Sequence, residues 1–237
     1  MRTTRANSEP RQIKIIKNFT PHAEGSVLYC SGNTQVLCNI SIEEGVPRFL
    51  KDEQTGWLTA EYSLLPRSTH TRCQREAARG KQSGRTLEIQ RLIGRSLRAM
   101  VDLKKIPGYT ITADCDVLTA DGGTRTAAIN GAACALILAL QNMQYTKAIK
   151  QDPIRHLIGA ISIGVKNDEV LVDLDYEEDS QIDTDLNIVL TESHQCIEIQ
   201  GTAEGLPLEL KTMSRAIEQS KAAVDQIIHA IKQTLNE

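Results

Sequence analysis

From Ala127 to Leu140 the chain reads A-A-I-N-G-A-A-C-A-L-I-L-A-L, apolar on nearly every side of a helix. Such a helix has no face for water and must be buried, and its many small residues let neighbouring backbone come close. The residues before it say how the chain arrives there. Tyr109 to Thr119 alternates, with Ile111, Ala113, Cys115 and Val117 on one side and Thr112, Asp114 and Asp116 on the other, the period of a half-buried strand. Asp121-Gly122-Gly123-Thr124-Arg125-Thr126 joins the two. Any fold for this chain therefore buries one helix almost completely and feeds it from a strand through a double-glycine turn.

That turn can carry chemistry. Two glycines allow a sharp reversal and leave nothing between backbone N–H groups and a ligand, and Thr124 is placed to cap the helix. A helix start of this kind attracts phosphate through its unpaired N–H groups and dipole, with Arg125 and the Thr126 hydroxyl as added donors. An ordinary glycine turn with a threonine cap fits the same residues. Ser83-Gly84-Arg85-Thr86 echoes the pattern at the start of a second helix. The echo is either two unrelated caps or two N-termini that converge on one anion.

The overall balance narrows what the anion can be. With 27 Lys+Arg against 30 Asp+Glu, the net charge of -3 does not predict nucleic-acid binding, so a polyanion site must be a local patch. Aromatics at 3% argue against recognition by stacking many bases. The six cysteines form no C-x-x-C pair and read as reduced thiols, which suggests a cytoplasmic protein. Cys30 and Cys38 could approach each other on a hairpin, with buried thiols preferred to a disulfide. No secretory leader follows Met1, and the longest apolar run, Ala132 to Leu140, falls short of the roughly 20 residues of a membrane span, so no membrane association is expected.

Four strands are expected first: Arg11 to Asn18, a hairpin on either side of Ser31-Gly32-Asn33, and Trp57 to Leu65. A basic loop follows at 66–84, with Arg67, Arg72, Arg75, Arg79 and Lys81 against Glu76 alone. It is either a solvated connection or a landing site for nucleic-acid phosphates that gives position and affinity but no sequence reading. Arg85 to Asp102 reads as a helix with Ile89, Leu92, Ile93, Leu97 and Met100 inward. Its polar stripe of Glu88, Arg91, Arg95, Arg98 and Asp102 suits a solvated or intersubunit face held by i,i+4 pairs. His156 stands at a strand edge with no metal-ligand spacing around it. A second hairpin turns at Asn167-Asp168, and Leu174 to Asn187 then concentrates acidic residues. It is an acidic surface loop, or a source of hard oxygen ligands for magnesium or manganese, since Asp185 opens the rigid strand L-N-I-V-L. The strand from Cys196 to Gln200 should end in the turn Gly201 to Gly205, and a C-terminal helix at about 208–235 should pack across a sheet.

Taken together these segments resemble one family. R-T-T-R-A, H-A-E-G-S-V, E-E-G-V-P-R-F-L, P-R-S-T-H-T-R, S-G-R-T-L-E-I-Q-R-L-I-G-R-S-L-R-A, D-C-D-V-L-T-A-D-G-G-T-R-T-A, Y-E-E-D-S and I-Q-G-T-A-E-G-L-P occur in order over residues 2 to 207 and look like the bacterial ribonuclease PH family. The resemblance implies a single α+β domain over 1–237, two βαβ-like halves in mixed sheets flanked by helices. It implies a phosphorolytic 3′-5′ exoribonuclease: inorganic phosphate attacks the last phosphodiester of a tRNA precursor and a nucleoside diphosphate leaves. Carried over residue by residue, Arg85, Gly123, Thr124 and Arg125 would bind the phosphate. Asp179 and Asp185 would be catalytic, as ligands of magnesium or manganese or as proton donors to the leaving 3′ oxygen. Arg67, Arg72 and Arg75 would grip the tRNA body across a subunit boundary in a homohexamer built as a trimer of dimers. After Gly205 the likeness fades, for L-P-L-E-L-K-T-M-S-R lacks the aromatic expected after the proline.

The implied reaction explains why these residue types are needed. Two unit charges ~4 Å apart at an effective dielectric of ~20 repel by about 4 kcal/mol, enough to slow a step roughly a thousandfold. Cations and donors at the phosphate offset that cost. Two other functions stay open: a non-catalytic RNA-binding ring subunit, which would be expected to lack the arginines or the aspartates, and a hydrolytic magnesium nuclease, for which Arg125 would be incidental.

Overall fold

The structure, a computed structural model, describes residues 2, 5–203 and 207–236. Thr3 and Thr4 of the first motif, and Glu204 and Gly205 of the expected turn, lie outside the described residues. The first four strands form as expected: β1 (Ile13–Lys17), β2 (Gly25–Ser31), β3 (Thr34–Glu44) and β4 (Trp57–Leu64). A one-turn helix α1 (Glu76–Arg79) interrupts the basic segment, which the sequence led us to expect as loop throughout. Helix α2 (Gly84–Met100) then crosses to β5 (Tyr109–Thr119), which pairs parallel with β4 and antiparallel with β3. The first sheet has the order β1-β2-β3-β5-β4.

The buried helix is α3 (Thr124–Tyr145), and its apolar sequence is explained by its place. It packs on β2, β3 and β5 from one side and on β6 (Ile158–Lys166) from the other, so both sheets share it. It is long and apolar enough to cross a membrane, but 83% of its most apolar stretch is buried inside the protein. Its small residues have the expected use: a Cβ at Gly25 of β2 would stand 2.0 Å from the Ala135 carbonyl oxygen. Asn130, polar within the apolar run, is paired at both ends of its amide. Its amide donates to the Ala160 carbonyl at 2.9 Å and accepts from the Ala160 N–H at 2.7 Å, which stitches α3 to β6. Buried amide groups left unpaired would each cost about 1–3 kcal/mol.

The second sheet, β7-β6-β8-β9, adds β7 (Glu169–Val172), β8 (Thr184–Thr191) and β9 (Cys196–Ala203). Every pairing in it is antiparallel, so the βαβ unit expected in each half exists only in the first, as β4-α2-β5. The strand β9 continues through Gly201 to Ala203, past the point where a turn was expected, because β8 offers partners as far as Thr184. Helix α5 (Leu210–Asn236) closes the outer face over β6, β1 and β7, with Ala216, Val224, Ile227 and Ile231 buried. Leu208 packs against the core near where an aromatic was expected.

Of two further expectations, the buried thiols are met and the i,i+4 pairs are not. Cys30 lies opposite Gln35 and Cys38 opposite Val27, so the pair is out of register; both are free, buried thiols. The polar stripe of α2 is held by long-range partners in place of i,i+4 pairs. Arg95 binds Glu198 on β9, Asp102 meets Arg155 at 3.0 Å, and Arg98 donates to the Leu58 carbonyl at 2.9 Å while lying 5.1 Å over the Trp57 ring.

Candidate active site

The two glycine-arginine helix starts meet. Arg85 at the head of α2 and Gly123, Thr124 and Arg125 at the head of α3 line one cleft of about 450 Å³, together with Asp179 and Asp185. Residues separated by up to 100 positions in sequence thus surround a single space.

The caps differ from what the sequence suggested. Gly123, not Thr124, is the N-cap of α3; at φ 60 it occupies the left-handed region, and no side chain caps the helix. The Thr124 hydroxyl is taken by a distant partner, accepting from the Tyr62 hydroxyl at 2.9 Å. The Thr126 hydroxyl donates to the Gly123 carbonyl at 2.9 Å, so it steadies the turn and is not a spare donor for a ligand. What remains open to an anion is the uncapped end of α3 with its N–H groups and dipole. The second helix start is capped conventionally, with the Ser83 side chain accepting from the Thr86 N–H at 3.1 Å.

The Arg125 guanidinium reaches Glu88 and Gln200, each at 3.2 Å, which holds it at the cleft wall. Across from it, α4 (Tyr176–Asp179) carries exposed Asp179, and β8 carries part-buried Asp185. Burial, then the charge of Asp179, raises the Asp185 carboxyl above the usual carboxylate range, while Arg125, the Asn187 amide and Arg85 pull the other way. A carboxyl pushed up beside a second carboxylate either holds a proton or shares a cation. Among the described residues no group of three or more His, Cys, Asp or Glu side chains gathers as a metal cage. Two carboxylates suffice for a magnesium-type ion that takes its other oxygens from phosphate and water, so the donor set fits one.

Several residues of the site were not singled out in the sequence. His70 and Tyr176 both line the cleft, with ring centroids 5.4 Å apart. Gly122, already one of the two glycines expected to make the turn, has a further use: at φ 72 it lets the turn press on the root of α4, where a Cβ would meet the Leu174 carbonyl oxygen at 2.3 Å. Beneath both runs a group of N-terminal arginines. Arg11 donates to the Asp173 carboxylate at 2.7 and 3.0 Å and to the carbonyl of Asp121, and Arg2 and Arg5 bind Glu178. The sequence held a signal for this, since Asp173 interrupts the apolar run V-L-V-D-L, although nothing local named its partner. Arg67, Arg72 and Arg75 of the basic segment are exposed and stand outside the cleft lining, whose share of that segment is Thr69, His70 and Thr71.

Fold and cleft together define a two-sheet α+β protein that can hold an anion at a helix start opposite a pair of carboxylates. The chain belongs to the 3′ exoribonuclease family: the RNase PH model for domain 1 of that family matches residues 9–140, and the model for domain 2 matches residues 156–223. Its fold is similar to that of rice (Oryza sativa) Rrp46, with a TM-score of 0.81, 22% identity and 99% of each chain covered. It is similar also to a structure described as the Archaeoglobus fulgidus exosome with RNA bound to the active site, with a TM-score of 0.78 and 25% identity over 94% of this chain and 89% of that one. An archaeal exosome core superimposes with a TM-score of 0.76 and 24% identity over 96% and 89%.

Proposed function

We propose that this protein is a phosphorolytic 3′-5′ exoribonuclease of the bacterial ribonuclease PH type, trimming the 3′ ends of tRNA precursors. The observation that carries the reading is the convergence of both arginines, the uncapped start of α3 and both aspartates on one cleft. A non-catalytic binding surface has no need of all three.

In this reading Arg85, Arg125, Gly123 and Thr124 hold inorganic phosphate, offsetting its repulsion from the RNA phosphodiester. A phosphate oxygen attacks the terminal phosphorus, the bond from phosphorus to the 3′ oxygen of the preceding nucleotide breaks, and the product is a nucleoside diphosphate. The 3′ oxygen takes up a proton, and in one role Asp185, whose carboxyl is raised by burial and then by the charge of Asp179 and which lines the same cleft, is its donor. In the alternative role the ionised carboxylates of Asp179 and Asp185 would hold magnesium or manganese, which would supply charge neutralisation at the reacting phosphates. Exposed Arg67, Arg72 and Arg75 bind the body of the RNA. The assembly is a homohexamer, checked by its mass in solution.

A second reading, a non-catalytic RNA-binding ring subunit, draws on the likeness of fold to Rrp46 and the exosome cores. One assay separates them: a tRNA with a 3′ extension, with and without phosphate, products resolved by charge. Diphosphates released only with phosphate are the expected result. Monophosphates in phosphate-free buffer would mean a hydrolytic nuclease, and binding without shortening would mean a ring subunit.

A further inference from the structure

The N-terminal segment passes beneath the cleft and touches both of its sides. Arg11 is the centre of this contact, its side chain only 8% exposed. Its backbone N–H and its Nε donate to one Asp173 carboxylate oxygen at 2.8 and 3.0 Å, and a terminal nitrogen donates to the other at 2.7 Å. The same guanidinium reaches the carbonyls of Asp121 and Gly122, the residues that form the anion-binding turn. A Cβ placed on Gly123 would lie 3.0 Å from it.

Asp173 sits where β7 leaves the sheet and the segment bearing Asp179 begins, and at φ 57 it holds a left-handed conformation that a residue with a Cβ seldom adopts. Ser31 donates to the same carboxylate at 3.1 Å. Further along, Arg2 and Arg5 bind Glu178 at 2.9 Å each, and Arg5 also donates to the Asp173 carbonyl at 2.6 Å. Glu178 is itself part of the cap of α4: its carboxylate accepts from the Asp175 N–H at 3.1 Å, while the Asp175 side chain accepts from the Glu178 N–H at 2.9 Å. The residue after Glu178 is Asp179.

We propose that Arg11 is a positioning residue, the link in an N-terminal arginine strap that holds the phosphate-binding turn and the Asp179-bearing helix at a set separation across the cleft. The role rests on the phosphorolytic reading of that cleft. A forked, planar guanidinium can span a carboxylate and two carbonyls at once, and a lysine ammonium at the same place cannot. Because misplacing reacting groups by about 1 Å can cost on the order of a hundredfold in rate, loosening the strap should register in turnover before it registers in RNA binding.

The test compares the full chain with Arg11→Lys, Glu178→Gln, and a control, Ile231→Val, that thins the core at a buried α5 residue outside the cleft lining. All are assayed well below their melting temperatures. Arg11→Lys should lower kcat about 10- to 100-fold and raise KM for phosphate, with RNA Kd within about twofold of the parent. Glu178→Gln, which cuts the outer anchor and keeps a capping oxygen, should move the same quantities less. The control should keep the parent's kcat at whatever melting temperature it has. If both strap variants fold and match the parent in kcat and phosphate KM, the strap is only structural and the proposal is overturned. Should Arg11→Lys fail to fold, Glu178→Gln decides alone. A parent that makes no diphosphates sinks the phosphorolytic reading instead. The strap is then judged by amide exchange in Arg11→Lys: joint acceleration over 121–126 and 175–180 upholds it, and unchanged exchange overturns it.

Discussion

At the scale of single residues, Arg125 is the sharpest case. Its side chain is only 15% exposed and rests on Glu88 and Gln200, so it is held at the cleft before any ligand arrives. Arg125→Ala removes the guanidinium and leaves the helix start intact, because the cap belongs to Gly123. A charged hydrogen bond is worth about 1.5–3 kcal/mol, so KM for phosphate should rise at least about tenfold while RNA Kd stays within about twofold. Initial rates against phosphate concentration check this, and an unchanged phosphate dependence would remove the anion cradle. Gly123 and Arg125 could be found in the sequence because the chemistry of a turn is local: consecutive glycines before an apolar helix already state the need for positive φ and close approach. Thr124 does not cap the helix, for its hydroxyl accepts from Tyr62, and no local pattern contains that contact.

Among the elements, the basic segment between β4 and α2 departs most from a simple loop. It is pinned at both ends. The Ala120 N–H donates to the Ser68 carbonyl at 2.8 Å, and Glu76 accepts from the Ser83 N–H at 3.0 Å and from the Thr86 hydroxyl at 2.8 Å. Both ends are therefore fixed to the fold, while Arg67, Arg72 and Arg75 are exposed to solvent. Cations placed this way bind phosphates without reading bases. Arg72→Ala should weaken tRNA binding and reduce the slope of log Kd against log salt by about one. Filter binding between low and physiological salt measures it, and parallel slopes for parent and variant would take the loop out of RNA binding.

For the molecule as a whole, the contact between the N-terminal segment and the second sheet sets a pH limit. Burial alone would push the Asp173 carboxyl up, but Arg11 more than offsets it, and the group sits below the usual carboxylate range; Glu178 is lowered in the same way by Arg2 and the Asp175 N–H. A depressed folded-state value contributes stability that is present above the unfolded value, 3.8 for Asp173, and lost as pH falls through the folded one. Asp173→Asn leaves Arg11 buried without its charge partner and should cost about 3–5 kcal/mol at neutral pH. The gap from the parent should narrow as pH drops below about 4, where Asp173 of the unfolded chain takes up a proton that the folded carboxylate still resists. Urea unfolding from pH 7 to pH 3 reads the gap, and a constant difference over that range would count against the ion pair as its source.

By itself the sequence determined the elements and their kinds. The alternation of β5, the all-round apolar character of α3, the inward stripe of α2 and the two glycine-arginine helix starts are periodic or local, so they are legible along the chain. The tertiary structure alone decided what those elements meet. It placed Arg85 and Arg125 on one cleft, sent Arg95 to Glu198 and Asp173 to Arg11, and made the second sheet antiparallel throughout. Contacts between residues far apart depend on how sheets stack about a shared helix, and that geometry follows from packing the whole core at once.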